Sequence, residues 1–574
     1  MNIRKSQKPV FSGLFAVLYS AATCAAPQSA MAAPTPKFSA AAAFDISQPL
    51  AIAPSAPPSY FAPLCPTLLC DMDADYDELP LQNGAFADDG AIQRTRPPPT
   101  ISGPLTTFEG LSNLDNFNVF GFRVNPPDPN GAVGPNHYVE MVNLTYAVFD
   151  KQGHKLVGPV DTGALWQGFA IPDCTDPSGD PVVLYDKRAD RWLLTQFTTR
   201  GPIYYNCVAV STTGDPTGTY YRYAFSAGLF FPDYPKYGVW KNSYALTSRD
   251  FGPTVEYGIS VYALERKKMI AGNPKARAVH FFLDSAVVPI NQIGDGLLPA
   301  DIDGPSMPED SAAIPIIGTQ DASFPAYGAA IDALNIYDLS VSWEDEPEAS
   351  LVFRGSYPVA PFNSVFPCGA VAGSLRPSAR DCLPQPGITD GSRFLDILSY
   401  RQRPTWRLAY RRFDDRESLV TSQSVEALPG VAGVRWYEIR RNGEQYSVYQ
   451  QGTFAPNDGV NRWMGSAAMD KKGNIALGYS VVNGVDVYPG IRYTGRLKGD
   501  PLGQMTLGEA TLIAGSGVQR TTNSRWGDYT SLNVDPNDDC TFWYVNEYYT
   551  LAGQLSSAAG WQTRIGSFKL PGCQ

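Results

Sequence analysis

From about residue 101 the chain is built of aromatic and β-branched runs of five to eight residues, broken by Gly, Pro, Asn and Asp. Short apolar runs bounded by turn residues predict strands, and amphipathic helical spacing is nearly absent. Compared with itself, the chain shows a loose repeat of roughly fifty to seventy residues, each unit holding an apolar strand, a polar turn, an aromatic strand and one or two outer strands. Seven such units can be read, opening near Asp128, DPVVLYD (180–186), DYPKYGVW (233–240), LLPADIDG (297–304), FLDILSY (394–400), RWMGSAAMD (462–470) and RWGDYTSLNVD (525–535). Repeated four-stranded units predict an all-β fold, a single β-propeller with seven blades; loose strand boundaries leave six or eight open. The last unit falls one strand short, and the segment 101–125, with FNVFGFRV (117–124), is expected to supply it and close the ring.

The first hundred residues follow a different pattern. Basic Arg4, Lys5 and Lys8 precede an apolar run from Val10 to Ala26 and an Ala30-Met31-Ala32 site, so residues 1–32 read as a signal peptide directing the chain to the periplasm or outside the cell. Cys24 lacks the preceding leucine of a lipoprotein site, and no later run is long enough to span a bilayer. Residues 33–100, rich in Ala, Pro and Ser, read as a disordered spacer. Within it, Asp71, Asp73 and Asp75 imitate a calcium loop, but Tyr76 stands where the sharp turn needs Gly.

Eight cysteines remain after Cys24: Cys65, Cys70, Cys174, Cys207, Cys368, Cys382, Cys540 and Cys573. In an exported chain they predict disulfides, with neighbour pairing one of 105 connectivities. No C-x-x-C pair occurs, and His137, His154 and His280 lie far apart, so a metal site has little support. A formal net charge of −11 argues against nucleic acid or an anionic membrane as partner. P-loop, dinucleotide and G-x-S-x-G motifs are missing, which disfavours phosphoryl transfer, hydride transfer and a serine triad. Asn143-Leu144-Thr145 matches a glycosylation sequon inside a predicted strand.

The candidate chemistry is acidic. Asp128, Asp180, Asp233 and Asp301 fall at or near the start of four successive inner strands, and the last two blades offer Arg462, Trp463, Arg525, Trp526 and Asp528 at the corresponding turns. Carboxylates serve as acid, base or nucleophile, arginine pairs with an acidic sugar, and aromatic faces stack on sugar rings. The competing explanation is structural: Asp before a strand caps its own backbone, and an Arg-Trp pair recurring at 191, 435, 462 and 525 serves packing.

The motifs GAVGPNHYVEMVN, GDPVVLYDKRADRW, DYPKYGVW, LLPADIDG, RWMGSAAMDKKGNIALGYS and RWGDYTSLNVDPNDDCTFWYVNEYY together resemble a group of functionally uncharacterised secreted bacterial propeller proteins. The resemblance implies a propeller and bacterial export and carries no catalytic residues. More loosely, STTGDPTGTYYRY (211–223) is similar to blade turns of propeller glycosidases, and MDKKGNIALGYS (469–480) resembles the Asp-containing hairpins of sialidases. The expected function is binding, and as a glycoside hydrolase or polysaccharide lyase cleavage, of an extracellular polysaccharide or surface glycan. A non-catalytic adhesion or scaffold module is the alternative. No cofactor is required, calcium in the channel stays open, and the oligomeric state is not readable.

Overall fold

The computed structural model describes residues 34–52, 69–71, 89–253, 258–309, 311–323, 328–364, 381–391, 393–397, 403–521 and 524–574. Residues 34–574 belong to one compact unit. Residues 1–32, read from sequence as a signal peptide, lie outside the described residues, as do Cys65 and Cys368.

The protein is a β-propeller. Its strands group into antiparallel meanders of four, each starting from an inner strand: Asn130–Val133, Val182–Asp186, Phe231–Val239, Leu298–Ile302, Thr405–Arg412, Asn461–Met469 and Ser531–Val534. These are numbered as the first to seventh blades. The inner strands of the fourth and fifth also pair directly and in parallel, Ala300 opposite Leu408 and Ile302 opposite Tyr410. Inner strands such as VVLYD are buried along their whole length, which explains their unbroken apolar runs. The outer strand Gln445–Phe454 begins with exposed and buried residues in alternation, as one wet face requires.

Aromatic side chains fill the space between blades. Trp192 of the second blade is fully buried, a side chain whose burial contributes about 3 kcal/mol. It packs against Gly134 of the first, where an added Cβ would stand 2.5 Å from the indole, so the second Gly of GAVGP is a close-approach residue.

The ring closes between its ends. Thr106–Ser112 pairs with Trp561–Lys569 as the fourth strand of the seventh blade. The closing segment was correctly located between 101 and 125, but FNVFGFRV is not the strand. Asn113–Phe120 is a helix, started by a Ser112/Asp115 capping box and ended at Gly121 with φ 79°. Likewise the FLDILSY segment does not open the fifth blade: Leu395–Asp396 pairs with Asp381–Leu383 in a separate ribbon.

The described parts of residues 33–100 also depart from the spacer reading. Lys37–Ala40 adds an outer strand to the third blade, Ala43–Ile46 to the second, and Ile92–Gln93 to the fifth. An Ala- and Ser-rich strand is stable here because it adds to an existing sheet edge, and Asp45 forms a bidentate pair with Arg222. Disulfides join Cys174 to Cys207 and Cys540 to Cys573. Cys382 is also disulfide-bonded, its pairing and that of Cys70 lying outside the described side chains. Among the described residues no helix is long and apolar enough to cross a membrane.

Candidate functional site

Strand register identifies equivalent positions in successive blades. Asn130, Val182, Lys236, Thr405 and Ser466 stand at corresponding points of their inner strands, paired with Met141, Thr195, Thr247, Ser422 and Gly478. Two residues earlier come Asp128, Asp180, Tyr234, Arg403 and Met464, with Leu298 and Asp528 in the fourth and seventh blades. Five of these have left-handed backbone: Asp128 (φ 49°), Asp180 (44°), Tyr234 (52°), Met464 (51°) and Asp528 (65°). Asp adopts this conformation at modest cost, but Tyr and Met do so only when their surroundings impose it. The surroundings of Tyr234 are visible: its hydroxyl donates to the Asp528 carbonyl at 3.0 Å, and its ring packs 5.1 Å from that of Tyr529.

The leading ends of these strands bring acidic, basic and aromatic groups together. The Tyr529 hydroxyl lies 2.9 Å from Asp180 Oδ2 and 3.0 Å from the Pro235 carbonyl, tying the seventh blade to the second and third. Asp528 pairs with Arg525. The Asp128 amide donates to the Gly527 carbonyl, and the Asp180 amide to Asn143 Oδ1. Lys236 lies 2.9 Å from the ring centre of Tyr234 and 3.5 Å from that of Tyr529; Arg403 stacks on Tyr234 at 3.8 Å. Asp180, Asp128 and Asp233 all act electrostatically on Lys236.

The cluster is nearly closed. Lys236 is 1 % exposed and Asp128 2 %, while Asp180 and Asp295 reach 9 % and Arg249 8 %. Burial pushes the Lys236 ammonium well below its ordinary value, opposed by Asp180 and reinforced by Arg403. Burial, and then the Asp180 charge, push the Tyr529 phenol far up. Burial likewise raises Glu547, whose Oε2 accepts the Gly527 amide. Between the third, fourth and fifth blades a void of ≈ 10 Å³ is lined by Tyr234, Lys236, Arg249 and Arg403.

Four of the five candidate aspartates, Asp128, Asp180, Asp233 and Asp528, therefore meet, and Arg525 joins them. Asp301 does not. It lies within Leu298–Ile302, accepts the Val239 amide at 3.0 Å and pairs with Arg407 at 2.8 Å. Arg462 is held by Asp458 and Glu509 and fully buried. Trp463 and Trp526 are core residues packed on one another at 5.2 Å. These three offer no surface to a sugar, and the packing role of the recurring Arg-Trp pair is the one the geometry shows. Asn143 is 1 % exposed and supports Asp180, so its sequon is not a surface acceptor.

Tyr234, Lys236, Arg249, Asp295, Arg403 and Tyr529 were not singled out from sequence. A signal was present: Asp128-Pro129, Asp180-Pro181, Tyr234-Pro235, Leu298-Pro299 and Arg403-Pro404 mark the same point of five blades. Aligning on aspartate instead of on this X-Pro step selected Asp301 and passed over Arg403. Among the described residues, no group of three or more His, Cys, Asp or Glu side chains is placed to hold a metal ion.

No family model and no curated protein matches the chain. Solved structures similar to it include an endo-arabinase from Bacteroides thetaiotaomicron (13 % identity, covering 54 % of this chain and 92 % of that one, TM-score 0.24). A subtype N10 neuraminidase-like protein of A/little yellow-shouldered bat/Guatemala/060/2010 is 11 % identical, with 66 % and 95 % covered and a TM-score of 0.31. Penicillium chrysogenum α-L-arabinanase complexed with arabinobiose is 11 % identical, with 60 % and 98 % covered and a TM-score of 0.26. At these values the likenesses carry no argument about activity; the propeller assignment stands on the strand pairing.

Proposed function

We propose that the protein is an exported, carbohydrate-acting propeller that binds and cleaves an extracellular polysaccharide at the leading ends of its inner strands. The observation that carries this reading is the convergence there of Asp128, Asp180, Asp233 and Asp528, drawn from four blades, with Tyr529, Arg403 and Arg525. Carboxylates spread around the outer rim would have removed its basis. Asp180 has the role of acid or base: it is the most exposed of the four and contacts the Tyr529 hydroxyl. Asp528, held by Arg525, is its counterpart. Export is supported by the disulfides as well as by the N-terminal sequence.

A second reading, a non-catalytic adhesion or scaffold module, is favoured by one observation. The cluster is nearly closed, with Asp180 and Asp295 its most exposed carboxylates at 9 %, so a glycan meets only their edges. The test is to offer neutral and acidic polysaccharides to the mature protein, Asp180→Asn and Asp528→Asn, following retention and the release of new chain ends. Release by the parent and its loss in folded variants supports the enzyme. Retention without release favours the binding module, and the absence of both contradicts a carbohydrate role.

A further inference from the structure

The ≈ 10 Å³ void has a one-sided lining. Its charged walls are Lys236, Arg249 and Arg403, and among the described residues no carboxylate lines it although several stand nearby. Arg403 is 3 % exposed, and its Nε and Nη1 have no hydrogen-bond partner. Buried guanidinium nitrogens in that state are costly and call for an acceptor. The two hydroxyls on the wall do not fill that place: Thr247 Oγ1 donates to the Leu297 carbonyl at 2.6 Å and Ser248 Oγ to Asp250 at 2.6 Å, and neither oxygen accepts from Arg403 Nε or Nη1. Arg403 and Lys236 moreover approach the same Tyr234 ring, at 3.8 and 2.9 Å, and the Arg403 charge adds to burial in pushing the Lys236 ammonium down.

We infer that this void is a binding site for one monatomic anion, a halide such as chloride, held by Arg403, Lys236 and Arg249. The size selects the occupant: a space for about one water-sized particle accepts a halide and excludes phosphate, sulfate or a sugar carboxylate with its ring. The charge selects against water. A water molecule must donate as well as accept, and the charged side chains around the space offer it donors, whereas a halide accepts from them and balances their charge. An anion there also offsets the repulsion between Arg403 and Lys236 and so tightens the junction of the third, fourth and fifth blades. The inference does not depend on the carbohydrate reading.

The test compares thermal unfolding of the mature protein in sodium chloride with that in sodium gluconate at matched ionic strength, and then in sodium glucuronate. Chloride is expected to raise Tm by about 1–2 °C at concentrations well above its Kd, and Arg403→Met to abolish the rise. No difference between chloride and gluconate overturns the inference; a rise with glucuronate alone overturns it in favour of a sugar carboxylate. Should Arg403→Met fail to fold, crystals of the parent protein in sodium bromide decide the matter. An anomalous peak beside Arg403 and Lys236 is expected, and an empty void contradicts the assignment.

Discussion

The two ends of the inner strands hold similar numbers of charges in opposite conditions. At the trailing ends, Arg407 bonds Asp301 at 2.8 Å and Asp303 at 2.9 and 2.8 Å, while Lys187 bonds Asp303 at 2.7 Å. Arg411 bonds both oxygens of Asp539 at 2.7 Å, and Lys151 reaches Asp535 at 2.8 Å. Despite burial, the Arg407 and Lys187 charges hold the Asp303 carboxyl well below the usual range. This end is a fork-to-fork lattice binding blade to blade. At the leading ends the geometry is looser: Lys236 rests on ring faces, Arg403 leaves two nitrogens unmatched, and five backbones are left-handed. A carboxylate in a propeller channel is thus informative only with its partners: the ion pairs at the trailing ends build the ring, while at the leading ends it is Arg403 that keeps capacity for an acceptor.

The largest effect expected of this contrast is on stability. Arg407→Met leaves Asp301 a buried charge without its cation and Asp303 with Lys187 alone, and should cost about 3–5 kcal/mol, visible as a large drop in the denaturation midpoint. At the leading end the sensitivity should appear in function instead. Asp180→Asn keeps the shape and should reduce chain-end release about 10²–10⁴-fold, with a denaturation midpoint close to that of the parent.

A third expectation concerns pH. Burial raises Glu140 from 4.5 and Asp250 from 3.8, each to about 7, against the pull of their hydroxyl and amide donors. A folded-state value above the unfolded one means that the folded protein holds the proton more tightly. The stability these groups contribute is full below their ordinary values and is lost as pH rises through about 7, on the order of 1–3 kcal/mol each. Melting curves from pH 4.5 to 8 should therefore fall across that window. Glu140 sits on the closing seam, bonded to the Leu111 amide and the Thr563 hydroxyl, so Glu140→Gln should flatten part of the slope. The smallest effect is expected at the rim, where Asp45→Asn weakens the pair with Arg222 and should cost less than about 1 kcal/mol.

Much of the fold was legible because a propeller repeats its pattern. Inner strands such as VVLYD announce themselves by unbroken apolar runs, and closure by a segment between 101 and 125 followed from counting strands. The helix at 113–120 was missed because FNVFGFRV has strand-like composition, while the Ser112 and Asp115 capping box decides its conformation. The outer strands at 37–40 and 43–46, KFSA and AFDI, were missed because each is only four residues long and sits in an Ala-, Pro- and Ser-rich stretch; the edge they join is what orders them. Four of the five candidate aspartates do lie together at the leading ends, and they were legible because acidic residues stand out at turns. Tyr234 and Arg403 were not, because an aromatic and a cation at equivalent positions share no chemistry, only a backbone register marked by proline, and Lys236, two residues after Tyr234, stands where other blades have Asn130, Val182 and Thr405.

The central claim is that the leading ends carry function and the trailing ends carry structure. It is tested most directly by assaying polysaccharide retention and chain-end release for the parent, Asp180→Asn and Asp539→Asn in parallel with their melting temperatures. Asp180→Asn is expected to lose activity and keep its Tm, while Asp539→Asn keeps activity and loses Tm through Arg411. The reverse pattern, or an active Asp180→Asn protein, would contradict it.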